Sequence, residues 1–182
     1  NGEPEESKGY CTDVFFDEAI SFINKNKENP FLCFLSLNAP HSPFNVPREY
    51  YELYENEIDL LESQKRFYGM ITNIDDNFGR LHQNVKSLGI LDNTIIIFTT
   101  DNGTSNGYKY SKKDKKWLGF NAGMRGTKTS EYDGGHRVPF IIKWKKGGLF
   151  GGHNYSGLSA HVDMLPTLLS FAKIAFNSTK KI

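Results

Sequence analysis

The 182-residue chain has only 2 Cys, 2 Trp and 3 Met, and its charges almost cancel: 22 Lys and Arg against 21 Asp and Glu leave a formal net charge of +1. Two cysteines are too few for a disulfide framework, although Cys11 and Cys33 could pair once. A charge this close to zero supplies no global basic field for nucleic acid and marks no acidic tail. The longest apolar runs, such as residues 94–100, fall far short of the roughly 20 residues of a membrane helix. No segment has the form of a secretory signal, and the chain opens on Asn1 rather than Met, so a piece of something longer is expected. What is present is ordinary for a folded domain: 38 % hydrophobic residues, 24 % charged residues and 17 Gly, over a length that can bury a real core.

Residues 1–9 are polar, contain Gly and Pro, and read as a loose leading segment. Asp13 is placed to cap a helix whose apolar positions Phe15, Phe16, Ala19, Ile20 and Ile23 recur at helical spacing, closed by Pro30. Phe31 to Leu37 is an apolar run of strand length without alternation, the pattern of a strand covered on both faces. Cys33 within it reads as a small buried hydrophobe. Pro40 and Pro43 make the following segment a loop. Residues 47–61 are aromatic and acidic, a loop with a short helix.

The strongest periodicity lies in 62–88, where Phe67, Met70, Ile71, Ile74, Phe78, Leu81, Val85 and Leu88 step by three or four. This predicts a long amphipathic helix ended by Gly89 as its C′ residue. Asp75 and Asp76 in its middle read as a solvated polar face. Residues 94–100 are β-branched apart from Phe98, largely apolar, and form a second expected strand. Strand, helix and strand in this order predict an α/β fold with a mostly parallel sheet and helices on both faces. Residues 103–124 read as a Gly/Asn/Lys/aromatic loop and 139–144 as a third strand. Asp163 caps a final helix with Pro166 in its first turn and Leu165, Leu168, Leu169 and Phe171 on its face. The folded body is expected over 10–175, with 176–182 a frayed tail.

Ligands of open α/β sheets sit beyond the carboxyl ends of the strands. The strand at 31–37 leads to His41, and the strand at 94–100 leads to Asp101 and Asn102. A carboxylate and an amide with a glycine after them can form half of a Ca²⁺ or Mg²⁺ site, and Asp-Asn-Gly is equally a common turn. The third element runs from Met124 to Pro139 and includes Arg125, Lys128, His136 and Arg137 among three glycines. Cations on a glycine-rich turn suit an oxyanion such as sulfate or phosphate, or a plain basic surface loop. The spacing is not that of a Walker A motif. Residues 109–117 hold five Lys and one Asp, a local charge of 5 − 1 = +4, either a solvated loop or a rim that attracts polyanions.

Four stretches in order carry a resemblance: Pro30–Pro43 with Ala39-Pro40-His41-Ser42-Pro43, Leu91–Gly103 with Asp101-Asn102-Gly103, Met124–Pro139, and Val162–Leu168. Together they resemble the sulfatase family within the alkaline-phosphatase-like superfamily, over most of Tyr10 to about Ile174. The match is nearest to bacterial aryl or polysaccharide sulfatases, whose loop reads much like Asn121-Ala122-Gly123-Met124-Arg125-Gly126. The resemblance implies hydrolysis of a sulfate ester, with a sulfated small molecule or glycan as partner. It implies His41 and Lys128 as catalytic and sulfate-contacting residues, Arg125 in support, and Asp101 and Asn102 as ligands of Ca²⁺, with Mg²⁺ the other cation that fits. His136 is either a substrate contact or a structural residue of its turn. Family habit implies a periplasmic, secreted or lysosomal setting.

The family's nucleophile is a formylglycine made from a Cys/Ser-x-Pro-x-Arg motif, and no such motif occurs in these 182 residues. Its early metal-binding Asp pair is missing too. The expectation is therefore an incomplete, central-to-late segment that needs an N-terminal part for turnover. Two other classes compete: a phosphodiesterase or phosphoryl-transfer relative, for which the five His are too scattered, and a non-catalytic sulfatase-like binding module.

Overall fold

The structure, a computed structural model, describes residues 6–175; the expected tail at 176–182 and the first five residues lie outside the described part. The chain forms two compact units, Asn1–Phe150 and Gly151–Ile182. The first contains α1 (Cys11–Asn26), α2 (Arg48–Glu52), α3 (Glu62–Ser87), β1 (Ile96–Thr99), β2 (Tyr108–Ser111), β3 (Lys116–Gly119), α4 (Asp133–His136) and β4 (Phe140–Lys143). The second contains α5 (Met164–Phe171), with Asp163 at its N-cap position as expected and Leu168, Leu169 and Phe171 half-buried. The Asp163 carboxylate does not cap α5; its Oδ2 accepts the Ala160 N–H at 2.7 Å in the preceding turn.

Helix α3 runs as its periodicity predicts and stops at Ser87, with Gly89 in the left-handed region at φ 72°. No other residue type enters that region without steric cost, which is why glycine closes the helix there. Its buried stripe differs from the apolar reading. Gln64, Asn73 and Asn77 are 0–2 % exposed, whereas Ile71 is 40 % exposed. The amides are inside because partners from distant sequence meet them. Asp13 does not cap α1, which begins at Cys11; it lies in the first turn, and its Oδ1 accepts the Asn73 Nδ2 at 2.8 Å and the Asn77 Nδ2 at 2.7 Å. Phe16, Ala19 and Ile23 of α1 and Phe67, Met70 and Val85 of α3 are all buried. Asp75 and Asp76 are exposed, in keeping with a solvated face. Replacing Asp13 with Ala leaves two buried amides short of an acceptor and is expected to cost about 1–3 kcal/mol. Urea unfolding of the full-length protein should show this as a lower midpoint at unchanged slope.

The expected mostly parallel sheet is not formed among the described residues. Both ladders are antiparallel: β1 with β4 (Ile96 opposite Lys143, Thr99 opposite Phe140) and β2 with β3. Phe98 of β1 meets Phe78 of α3 edge-on, ring centres 6.0 Å apart, which ties the sheet to the helix. Residues 31–37 join no ladder. Phe31 packs edge-on against Phe22, but Leu32 is 76 % exposed and Phe34 86 %, so the run is not covered on both faces. An apolar run becomes a strand only when a neighbouring strand takes up its N–H and C=O groups, and no described strand does so here. Cys11 and Cys33 are both free thiols. Burial pushes the Cys33 thiol above its ordinary value, which suits a packing residue rather than a nucleophile.

The segment 103–124 is more ordered than a loop. Tyr108-Lys109-Tyr110-Ser111 and Lys116-Trp117-Leu118-Gly119 alternate with period two and pair as a hairpin around residues 112–115, with Lys115 at φ 53° closing the turn. The lysine run masks this alternation in the sequence.

Candidate functional site

The first turns of α3 hold the hairpin base. The Gln64 Nε2 donates to the Leu118 carbonyl at 2.9 Å, and the Tyr68 hydroxyl donates to the Gly107 carbonyl at 2.7 Å while accepting the Phe120 N–H at 3.1 Å. Burial raises the Tyr68 hydroxyl above its usual range, so it stays a donor at neutral pH. The Asn106 Nδ2, on a residue 1 % exposed, donates to the Ser63 carbonyl at 2.7 Å. These contacts fix residues 104–107. The Gly107 N–H donates to the Thr104 Oγ1 at 2.8 Å, and the Thr104 carbonyl accepts the Lys128 N–H, also at 2.8 Å. The loop after β1 is thus joined to the basic loop at Lys128.

A second junction is backbone on backbone. The Gly103 N–H donates to the Gly135 carbonyl at 2.9 Å, and the Gly134 N–H donates to the Arg125 carbonyl at 2.8 Å. The approach is so close that a Cβ on Gly103 would fall on the Gly134 carbonyl oxygen. Asn121, 8 % exposed, closes the loop from beneath, its Nδ2 donating to the Met124 carbonyl at 2.7 Å and the Gly126 carbonyl at 3.1 Å. The sequence does not single out Gln64, Tyr68 or Asn106, and Asn121 stands there only as the first residue of the loop that resembles the family. Gln64 and Asn106 carry no signal of their own, because their partners are backbone groups 43 to 54 residues away.

Asp101, Asn102 and Lys128 are therefore brought onto two interlocked loops. Asp101 is exposed and its Oδ1 accepts the Asn102 N–H at 2.9 Å. The Asn102 Nδ2 donates to the Gly103 carbonyl at 3.0 Å, which leaves the amide oxygen as that side chain's acceptor. Carboxylate and amide oxygens fit a hard cation in kind. They do not suffice in number, since Ca²⁺ takes about 6–8 oxygens, and among the described residues no three His, Cys, Asp or Glu converge.

Lys128 is half-buried, and among the described residues no carboxylate pairs with it. Thr129 beside it is β-branched yet held at φ 73°, a conformation such residues avoid unless the surroundings impose it. The Arg125 guanidinium lies 3.6 Å from the centre of the Tyr132 ring, a cation–π contact that steadies the loop. His136 ends α4 and its Nε2 faces the Glu131 carbonyl at 3.1 Å. That bond ties the ring to its own turn.

His41 is exposed on a separate loop, its Nδ1 donating to the Ser42 carbonyl at 2.8 Å, so Nε2 is the nitrogen left to accept. Among the described residues no hydrogen bond or ion pair joins it to Asp101, Asn102 or Lys128. The two loops share a floor. Phe44, three residues on, meets the buried Phe67 of α3 edge-on at 6.1 Å, and a Cβ on Gly107 would sit 3.1 Å from the same ring.

A family model described as Sulfatase matches residues 1–174. The chain is 32 % identical to the uncharacterized sulfatase YdeN of Escherichia coli (strain K12), over 100 % of this chain and 31 % of that one. It is 32 % identical to the N-acetylgalactosamine-6-O-sulfatase of Bacteroides thetaiotaomicron, over 72 % of this chain and 25 % of the relative. Among solved structures, Ps i-CgsB in complex with k-i-k-neocarrahexaose superposes with a TM-score of 0.81 at 30 % identity, covering 97 % of this chain and 37 % of that one. The chain thus spans about a third of the length of the relatives it matches. The interlocked Asp-Asn-Gly and Lys128 loops stand within a chain whose structural neighbours have the alkaline-phosphatase-like fold, and by this match the chain belongs to the sulfatase family.

Proposed function

We propose that this chain supplies the sulfate-contacting and part of the metal-contacting side of a sulfatase active site, acting on a sulfated carbohydrate or aryl sulfate. The observation that carries this reading is Lys128: a half-buried ammonium without a carboxylate partner among the described residues, locked by its own N–H to the loop of Asp101 and Asn102. An ammonium in that position favours an anionic oxygen as its partner.

Lys128 would hold one sulfate oxygen and neutralise charge that grows on the transferring group. Asp101 and Asn102 would hold a Ca²⁺ or Mg²⁺ ion together with ligands from elsewhere, and the bound ion supplies Lewis-acid polarisation of the sulfate oxygens. His41, with Nδ1–H engaged by the Ser42 carbonyl, would present Nε2 to the ester oxygen, and in its imidazolium form would donate the Nε2 proton to the departing alcohol oxygen, leaving the neutral ring. Arg125 acts through the loop it braces against Tyr132. His136 is held to its turn, and a substrate contact is left to its Nδ1. No residue of this chain fits formylglycine, since no Cys/Ser-x-Pro-x-Arg motif is present, so the roles are confined to binding, charge neutralisation and proton handling. Sulfated carbohydrate is favoured as the substrate class because the neighbour solved with k-i-k-neocarrahexaose covers 97 % of this chain.

The test is release of inorganic sulfate by the full-length protein from an aryl sulfate, with the matching aryl phosphate alongside. Sulfate release that stops with EDTA and returns with Ca²⁺ or Mg²⁺ is the expected result. Phosphate release without sulfate release would move the chain to the phosphoryl-transfer branch of its superfamily. Release of neither anion would leave a binding module.

A further inference from the structure

The β2–β3 hairpin has two unlike faces. Tyr110 stands opposite Trp117 and Tyr108 opposite Gly119, so period two places Tyr108, Tyr110, Trp117 and Gly119 on one side. The other side carries Leu118, which is 5 % exposed, and the buried Ser111, and it is the anchored side. On the first side Tyr108 and Trp117 stack with ring centres 4.8 Å apart at 14°, and Tyr110 meets Trp117 edge-on at 5.8 Å. The rings form a pavement, yet Trp117 is 53 % exposed and Tyr110 is 49 % exposed. A fixed aromatic array open to water is a mark of an interaction surface.

The tip next to this pavement is cationic. Lys112, Lys113 and Lys115 are exposed and have no ion pair among the described residues, while Lys116 is taken by Asp59 at 2.7 Å. The one acid, Asp114, accepts the Ser111 hydroxyl at 2.6 Å. An occupant must therefore offer flat apolar C–H faces and several anions together. The base of the hairpin leads directly to the Lys128 loop, through Phe120 N–H to the Gly107 carbonyl at 2.8 Å and through Thr104.

We propose that the open face of the β2–β3 hairpin is a docking platform for a polysulfated oligosaccharide, whose sugar rings lie on Trp117 and Tyr110 and whose sulfates meet Lys112, Lys113 and Lys115. The choice of sulfated glycan rests on the reading of the Lys128 site as a sulfate-ester site, because the platform begins where that site ends. A single-stranded nucleic acid also combines rings and anions, but the chain's net charge of +1 gives it no extended basic track.

The test is calorimetric titration of the full-length protein with a heparin-derived hexasaccharide, its desulfated counterpart, inorganic sulfate and a six-residue oligothymidylate. The sulfated hexasaccharide should bind best. Trp117→Ala should weaken it about tenfold. Tyr110→Ser is the second variant should Trp117→Ala fail to fold, and it should weaken binding in the same sense. The triple variant K112S/K113S/K115S should weaken binding and flatten its salt dependence, since exposed charges are screened above about 0.15 M. Two results would overturn the platform. One is equal or tighter binding of the oligothymidylate or of inorganic sulfate. The other is a loss on lysine replacement with none on aromatic replacement, which is bare polyanion attraction. The titration involves no turnover. Glycan binding by a protein that releases no sulfate would reject the catalytic reading alone, and aryl sulfate turnover without glycan affinity would reject the platform alone.

Discussion

Replacing Lys128 with Ala in the full-length protein is expected to lower kcat/KM for a sulfate ester by about 10²–10³-fold, the usual cost of removing one preorganised donor from a developing oxyanion. The Lys128 side chain has no carboxylate partner among the described residues, so its removal breaks no ion pair that supports the fold. Its position depends on its backbone N–H bonded to Thr104, and alanine keeps that bond. The loss should therefore appear in catalysis while the urea midpoint holds. Lys128→Arg keeps the charge but replaces a compact ammonium by a planar fork, so it should recover only part of the activity. Steady-state kinetics with an aryl sulfate reads both. Unchanged kcat/KM in Lys128→Ala would assign the sulfate contact to another residue.

Gly103→Ala is expected to have the second large effect, on stability and activity together. The added Cβ would fall on the Gly134 carbonyl oxygen, and that obstacle is backbone rather than the end of a flexible side chain. Relief requires the two loops to separate, and the bond from Gly103 N–H to the Gly135 carbonyl lies in the same junction. Overpacking of this kind costs about 1–3 kcal/mol. Gly103 follows Asn102 directly, and a displacement of about 1 Å between the loop of Asp101 and Asn102 and Lys128 can cost on the order of 10²-fold in rate. Gly79→Ala is the matched control. It lies in α3 with no atom beyond its chain neighbours and its own helix backbone within 4 Å of the new methyl, and the same change there should stabilise by about 0.4–1 kcal/mol. Urea midpoints and kcat/KM for the pair separate a local clash from any general effect of replacing glycine. An active, unshifted Gly103→Ala protein would show that the two loops need not be this close.

The sequence by itself determined the elements whose causes are local. Helix α3 was legible from Glu62 to Ser87 because its stripe repeats every three or four residues and Gly89 can take φ 72°. The Asp-Asn-Gly turn after β1, the cationic glycine loop and the helix behind Asp163 were legible from residue type and order, and so was the family. Only the tertiary structure decided what depends on distant partners. Gln64, Asn73 and Asn77 look like surface residues until the Leu118 carbonyl, 54 residues on, and Asp13, 60 and 64 residues back, complete their hydrogen bonds. The antiparallel pairing of β1 with β4, the hairpin hidden in a lysine run and the bare apolar run at 31–37 have the same origin. Strand identity is a property of the neighbour that accepts the backbone hydrogen bonds, and a single segment does not name its neighbour. The interlock of Gly103 with Gly134 and Gly135 is set by backbone approach, which leaves no mark in the sequence beyond the glycines that permit it.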